Sequence, residues 1–453
     1  MLSQDGEAYI ASRASACPCL ADRRWPSLES DEARSKKCRQ GSKQPGLDFS
    51  CPPVLVELLA HHWRDLQDGF SDPEELNKIL VFQSDELRWT AQKRGLWSLE
   101  YKRELTSPLC IAAAQGFNEC LQYLLEHGAH PNLSAGGKAA LHEACANSNT
   151  ECAELLLEHG ANPDQLTEDG LTPLHLCRTP QSLRCAKVLV RHGAKVDLPS
   201  EEEEETPLHV AAKHGLPHHA QLYLRYGARI DHVSCSGETP LGVACREAQE
   251  KMSEGQERHL QLCRLLLAYG ANVNLTDKER RSPLHKAARN VQISLVKLLL
   301  DHGADINAID YNGCSPLSSV LQSSVVRQEW QPHVVVQMLL NHGSIQIWPQ
   351  ALLKVLTACA EAPKTVEILF NSYPLIPVTS KWVEAIPEDT FQLHRPFYES
   401  LFALEYRPRC LQHLCRAALR KHFGKLCHSL VPRLPVPRTL QDYLLLEPEG
   451  CID

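Results

Sequence analysis

The chain has 453 residues, 43% of them hydrophobic, with 47 Lys and Arg against 55 Asp and Glu and a formal net charge of -8. That balance argues against general nucleic-acid binding, which needs a basic face, and no apolar run approaches the roughly 18 residues that read as a membrane span. Asp5 and Glu7 stand where a secretory signal carries basic and then apolar residues, so the expected setting is soluble and intracellular: cytoplasmic, with the nucleus left open.

Residues 1–50 mix Ser, Arg, Lys, Glu and Pro with little periodicity and are expected to be disordered. Cys17-Pro-Cys19 lies there without a partner pair, which makes it weak as a zinc or redox site. Residues 51–104 contain VLVELLAHHWRDL (54–66) and ELNKILVFQSDELRW (75–89), helical patterns that predict a helical N-terminal cap.

Two signals then recur across residues 105–344. One opens a helix: SPLCIA (107–112), AALHEA (139–144), TPLHLC (172–177), TPLHVA (206–211), TPLGVA (239–244), SPLHKA (282–287) and SPLSSV (315–320). The other closes a later helix, as in LLEHGA (124–129), LVRHGA (189–194) and LLDHGA (299–304). Leu109, Leu141, Leu174, Leu208 and Leu241 set a spacing near 33 residues. Thr or Ser can cap the helix, Pro in its first turn loses no hydrogen bond, and Gly supplies the left-handed stop at Gly160 and Gly193. A period near 33 with T-P-L-H resembles the ankyrin repeat, a turn and two antiparallel helices stabilised by stacking.

Two excesses break the spacing, REAQEKMSEGQERH (246–259) and SSVVRQEWQPH (323–333), both between the two helices of a unit. The turns before the units also differ. One carries Glu201, Glu202, Glu203, Glu204 and Glu205; two units on, another carries Lys278, Glu279, Arg280 and Arg281. In the ankyrin architecture such turns line one edge of a concave surface. Opposite signs there make a candidate target-binding edge that orients a dipolar segment, beside the plainer reading of solvated charge.

The 19 cysteines are spread over a chain with no export signal, and most of them, Cys110, Cys145, Cys177 and Cys245 included, are expected to act as reduced small hydrophobes. His127, His159, His192, His302 and His342 all precede a closing Gly. Helices stacked about 8–10 Å apart cannot bring such a row within the ~2 Å reach of one zinc ion, so hydrogen bonding at helix ends is the expected role. No phosphate-loop, G-x-S-x-G or H-E-x-x-H motif occurs. We therefore expect no enzyme chemistry, no metal and no cofactor.

Residues 345–405, with ALLKVLTACAEAPKTVEILFNSYP (351–374), read as a degenerate repeat and a helical bridge. The tail, residues 406–453, carries CLQHLCRAALRKHFGKL (410–426). There Leu411, Leu414, Cys415, Ala418, Leu419, Phe423 and Leu426 form one apolar stripe, with Arg416, Arg420 and Lys421 largely off it. Leu434, Pro435, Val436 and Pro437 follow as a rigid extended segment, then Leu440, Tyr443 and Leu444 on a short helix. A fragment this small leaves apolar surface exposed, so it needs the last ankyrin helices or another protein.

The tail resembles a SOCS box, and the chain as a whole is similar to the ankyrin repeat and SOCS box family. The expected fold is all-α: an ankyrin-repeat solenoid of about seven clear repeats plus degenerate ones, with a C-terminal helical SOCS box. The family's elongin-binding pattern falls on Cys410-Leu411, Cys415 and Leu419, Cys410 departing from the usual Ser, Thr, Ala or Pro in identity but not in size. The resemblance implies that Leu411 enters a pocket of elongin C, with Cys415 and Leu419 along its groove and Leu414 on the same stripe. It implies that the LPxP match at Leu434, Pro435 and Pro437, with Val436 between, selects cullin-five. The implied function is that of a non-catalytic substrate-recognition adaptor. Its partners would be elongin B, elongin C, cullin-five with a RING protein, and an unknown protein target marked for degradation. A pure ankyrin scaffold and a decoy adaptor without productive ligase assembly remain open.

Overall fold

The computed structural model describes residues 76–91, 97–248, 253–405 and 407–452. The expected disorder of residues 1–50 and the expected helix at 54–66 lie outside them. The chain divides into two compact units, one containing Val81–Arg103 and the other running from Glu104 to the C-terminus with Gln67–Leu80.

In the first unit the helical expectation for 75–89 fails. A two-stranded sheet forms instead, β1 (Leu80–Ala91) and β2 (Trp97–Thr106). Trp97, Leu99 and Tyr101 alternate with Ser98, Glu100 and Lys102, the two-residue period of a strand. The remaining regular structure among the described residues is helical.

In the second unit helices come in pairs. They are α1 (Pro108–Gln115) and α2 (Asn118–Glu126), then α3 (Ala140–Ala146) and α4 (Thr150–Glu158). A 3-10 turn (Pro173–Leu176) precedes α5 (Leu183–Arg191). Next come α6 (Pro207–Lys213) with α7 (Pro217–Arg225), and α8 (Pro240–Glu247) with α9 (Ser253–Ala268). The last clear pairs are α10 (Pro283–Arg289) with α11 (Ile293–Asp301), and α12 (Pro316–Ser323) with α13 (Pro332–Asn341). First helices pack on first helices and second on second, giving two parallel rows.

Most repeat letters act as expected; Thr206 makes no side-chain cap bond to the backbone, and one opener forms no α-helix. Ser107, Thr239, Ser282 and Ser315 each accept a backbone N–H three residues on, and a proline follows each in the first turn. Gly160 and Gly193 adopt φ of 85° and 88°, and Ala161 N–H closes back on Leu156 O at 2.9 Å. That opener is TPLHLC, which makes a 3-10 turn. Pro180 follows closely and forces Thr179 into an extended conformation, φ -121° and ψ 154°, so the helix cannot propagate. The first excess partly lengthens α9; the second includes a short 3-10 turn, Gln328–Trp330. Cys110, Cys145, Cys177 and Cys245 are all buried.

Two hydrogen-bond ladders join the repeats, neither of which the sequence reading found. The histidines of the openers bridge successive units: Nε2 of His142, His175, His209 and His285 donates to the carbonyls of Gln165, Glu205, Glu238 and Cys314, at 2.8–3.1 Å. Nδ1 of each accepts the backbone N–H three residues before, which fixes the tautomer. Burial pushes the pKa of His175 and of His209 down to about 4. A second ladder uses the Asn or Asp just past each closing Gly. Asn132, Asp164, Asp197, Asp231, Asn274 and Asn307 each accept a backbone N–H from the next unit. Asn77 does the same to His130 N–H at 2.7 Å, so the array extends one half-unit before SPLCIA. The closing histidines serve helix ends: His127, His159, His302 and His342 each contact, through Nδ1, the carbonyl four residues back at 2.8–2.9 Å.

Beyond α13, helices α14 (Leu352–Ala358) and α15 (Pro363–Asn371) follow, α15 packing on α13 as one more outer helix. Then come α16 (Lys381–Glu384), α17 (Glu388–Leu393) and α18 (Arg395–Ala403). The tail holds α19 (Leu411–Phe423), α20 (Cys427–Leu430) and α21 (Arg438–Leu444). Among the described residues no helix is long and apolar enough to cross a membrane.

Candidate partner interfaces

The tail helix α19 is amphipathic in the reverse of the usual sense. Its polar face is the buried one: His413 is 0% and Arg416 2% exposed. The sequence-derived stripe faces outward, with Leu411 77%, Leu414 41% and Leu419 41% exposed and Cys415 exposed beside them.

Helix ends of the array dictate this inversion. The last carbonyls of an α-helix have no intrahelical partner and carry partial negative charge, which favours cations there. Arg420 meets the end of α13, donating to Leu340 O at 3.2 Å and Asn341 Oδ1 at 2.6 Å, and also to Leu444 O at 2.7 Å. Arg409 meets the end of α15, donating to Phe370 O and Asn371 Oδ1, both at 3.2 Å. His413 Nε2 donates to Tyr373 O at 2.8 Å, while Arg416 donates to His413 Nδ1 at 2.8 Å and lies 4.0 Å over the Tyr443 ring. Burial brings the Arg420 guanidinium down to about 10, which leaves it charged at neutral pH.

The segment after α21 completes the docking. Gln337 and Asn341 donate to Leu445 O at 3.0 and 2.9 Å. Glu367 on α15 accepts the N–H groups of Glu449 and Gly450 at 2.5 and 3.0 Å, and burial raises its pKa to about 7.

Cys410 is the N-cap of α19: its backbone is extended, and its sulfur accepts from His413 N–H at 3.3 Å. A small side chain with an acceptor suits that position. Downstream, Leu434 has φ -68° and ψ 139°, and Gln441 Nε2 donates to the carbonyls of Leu434 and Val436 at 3.1 and 3.3 Å. Pro435 and Pro437 are exposed, Leu434 and Val436 half-buried. The LPVP segment is thus held extended by its own following helix.

At the other candidate surface, single backbone hydrogen bonds link the turns before successive units. Glu201 N–H donates to Gly170 O, Cys235 N–H to Glu203 O, Lys278 N–H to Ser236 O and Tyr311 N–H to Glu279 O, at 2.9–3.3 Å. This places Glu201, Glu202, Glu203, Glu204 and Glu205 on one edge with Lys278, Arg280 and Arg281. Their charges are not equally available. Arg281 pairs with Asp277 at 3.1 Å and Glu279 at 2.9 Å, whereas Lys278 is exposed and Arg280 lies 5.9 Å over the Tyr311 ring.

A buried ion network that the sequence did not reveal lies beneath that edge. Lys286 Nζ reaches Glu238 at 2.5 Å and Asp277 at 3.2 Å, and Arg246 reaches Glu238 at 3.2 Å. Glu238 and Lys286 lie 48 residues apart in sequence and meet through repeat stacking.

Comparison with known proteins agrees with both halves. Ankyrin-repeat family models match residues 109–200, 160–232 and 251–351, and a SOCS box model matches 407–445. The chain is 51% identical to human Ankyrin repeat and SOCS box protein 18 over 416 residues, covering 90% of this chain and 88% of that protein. It is 39% identical to human Ankyrin repeat and SOCS box protein 16, covering 95% of this chain and 94% of that one. Among solved structures, the human ASB11 ankyrin repeat domain aligns at 33% identity and a TM-score of 0.44, covering 50% of this chain and 96% of that one. An ankyrin array capped by a docked SOCS box, and relatives similar along nearly their full length, lead to one assignment: this chain belongs to the ankyrin repeat and SOCS box family.

Proposed function

We propose that this protein is a non-catalytic substrate-recognition adaptor of a ubiquitin ligase, in which α19 recruits elongin C with elongin B and the ankyrin surface holds a target. The observation that carries this is the outward stripe of Leu411, Leu414, Cys415 and Leu419 on a helix whose polar face is already docked. Docking of the arginine face decides which side of α19 is buried and leaves the leucines uncovered, although burial of a Leu side chain contributes about 1.5–3 kcal/mol. Scaled by their exposures, the three leucines hold roughly 2–5 kcal/mol of hydrophobic free energy in reserve for a partner. Leu411 enters the elongin C pocket, and Cys415 and Leu419 extend the contact. Leu434, Pro435, Val436 and Pro437 engage cullin-five, their fixed extended backbone lowering the ordering cost of binding. The adaptor supplies proximity to a target lysine, leading to ubiquitination and degradation. The edge of Glu201–Glu205 with Lys278, Arg280 and Arg281 contributes to target orientation.

Co-expression with elongin B and elongin C, followed by mass determination of the purified complex, tests the reading. The expected result is a stoichiometric complex that Leu411→Asp with Cys415→Asp loses while its helical signal and melting temperature persist. Changing Leu434 and Pro435 to Ala should then remove cullin-five without removing the elongins. A folded chain that ignores the elongins refutes the adaptor and leaves an ankyrin scaffold.

A further inference from the structure

The first helices α8, α10 and α12 floor a cleft of about 470 Å³, roofed by the turns at 277–281 and 310–314. Arg246, Arg281, Lys286, Arg289 and Arg327 line it together with Asp310. Its charges divide into two groups. Arg246, Arg281 and Lys286 are held by Glu238 and Asp277, and Asp310 Oδ1 is occupied by the N–H groups of Asn312 and Cys314 at 2.9 and 2.8 Å. Arg289 and Arg327 have no carboxylate within ion-pair distance among the described residues. Arg327 donates to Asn290 O at 3.0 Å and lies 5.1 Å from the Trp330 ring centroid, which fixes its guanidinium toward the cleft wall. Each of the two cations disfavours the other, and burial together with Arg289 lowers the Arg327 pKa. Two like charges held at one cleft and left without a counter-ion are stabilised by an incoming anion. Guanidinium groups suit carboxylates in particular, through paired N–H donors.

Arg289 is exposed and Arg327 half-buried, so the pair is reached from solvent. Within the target-holding reading, the anion that reaches it is a side-chain carboxylate of the target.

We propose that this cleft receives an acidic segment of the target protein, its Glu or Asp carboxylates paired with Arg289 and Arg327. The inference deepens the reading of the ankyrin array as the target-holding surface and rests on it. It also places this contact on three repeats, away from the acidic turn at Glu201–Glu205, whose charge repels such a segment and so helps to orient it.

The test uses the full chain purified with elongins B and C. Fluorescein-labelled short peptides carry glutamate at every second, third or fourth position among Leu, Ser and Gly, each with a glutamine-matched control. Fluorescence anisotropy should show at least one glutamate peptide binding more tightly than its control. Arg289→Glu with Arg327→Glu should weaken that binding by about tenfold or more, and Lys297→Glu on the outer helix α11 should not. Arg327→Gln, which keeps a donor for Asn290 O, gives an intermediate loss and guards against local unfolding. Equal binding of glutamate and glutamine peptides, or an unchanged affinity in the double variant, overturns the proposal. Failure of elongins to co-purify would instead sink the ligase reading, and the same peptide assay on the chain alone would still decide the cleft.

Discussion

Arg420→Met is the sharpest test of how the tail is held. Methionine keeps most of the apolar stem but removes the donors that serve Leu340 O, Leu444 O and Asn341 Oδ1. Hydrogen bonds to a charged group contribute about 1.5–3 kcal/mol each, and a buried acceptor left bare costs about 1–3 kcal/mol. These terms are not additive, and removing a buried charge recovers part of its desolvation. A net loss of about 2–4 kcal/mol is therefore expected, confined to the contact of α19 and α21 with α13. Local opening energies are read by native-state hydrogen exchange. The amides of Leu445 and Leu446, bonded to Gln441 O and Tyr443 O, report on this contact. Their exchange should accelerate by roughly 30-fold to 10³-fold, at about 1.4 kcal/mol per tenfold, while amides in α3 and α6 stay unchanged. Arg420→Lys should fall between, since one ammonium cannot span the three acceptors as a planar fork does. Unchanged exchange in Arg420→Met would refute the idea that the arginine face holds the tail.

The titrating groups predict opposite pH responses. His175 and His209 have folded pKa values near 4 against 6.5 for the free side chain, so the unfolded state binds their protons first. Their contribution is intact above pH 6.5 and is lost as pH falls toward 4, about 2 kcal/mol each by pH 5; urea titrations at pH 7 and pH 5 should show it, and His209→Gln should flatten the slope. Glu367 has a folded pKa near 7 against 4.5, so protonation favours the folded state, and its contribution is lost as pH rises through 7. Glu367→Gln should accordingly protect the C-terminal segment from proteolysis at pH 8 relative to the parent and change little at pH 5.

Much of the architecture was legible because repeats are local. A capped Thr-Pro opener, a left-handed Gly stop and apolar positions on each helix act within about ten residues, and stacking multiplies the same signal. Where one residue broke the local rule, the opener of the third unit, Pro180 explains the 3-10 turn that forms. At 80–91 the apolar pattern fits a helix, but the segment pairs as a strand with Trp97–Thr106, whose two-residue alternation is visible at Trp97–Lys102. The opener histidines and the Asn and Asp ladder were present as repeating letters. Their partners lie about thirty residues away, where no single-unit pattern points.

The stripe of Leu411, Leu414, Cys415 and Leu419 was likewise fixed by spacing along one helix, and so was the extended LPVP that follows it. Its direction was not. An amphipathic helix ordinarily buries its apolar face, and periodicity carries no record of which face meets the neighbour. Here the neighbours are the C-terminal ends of α13 and α15, whose unpaired carbonyls attract Arg420 and Arg409 and leave the leucines outward. The same holds for charge. Composition sets a net of -8, but only stacking brings Lys286 to Glu238, beside Arg246 and Arg281 with their own carboxylate partners, while Arg289 and Arg327 have no ion-pair partner among the described residues. Backbone preference acts through adjacent residues and can be read from the chain. Electrostatic pairing acts through space and is settled when the repeats come together.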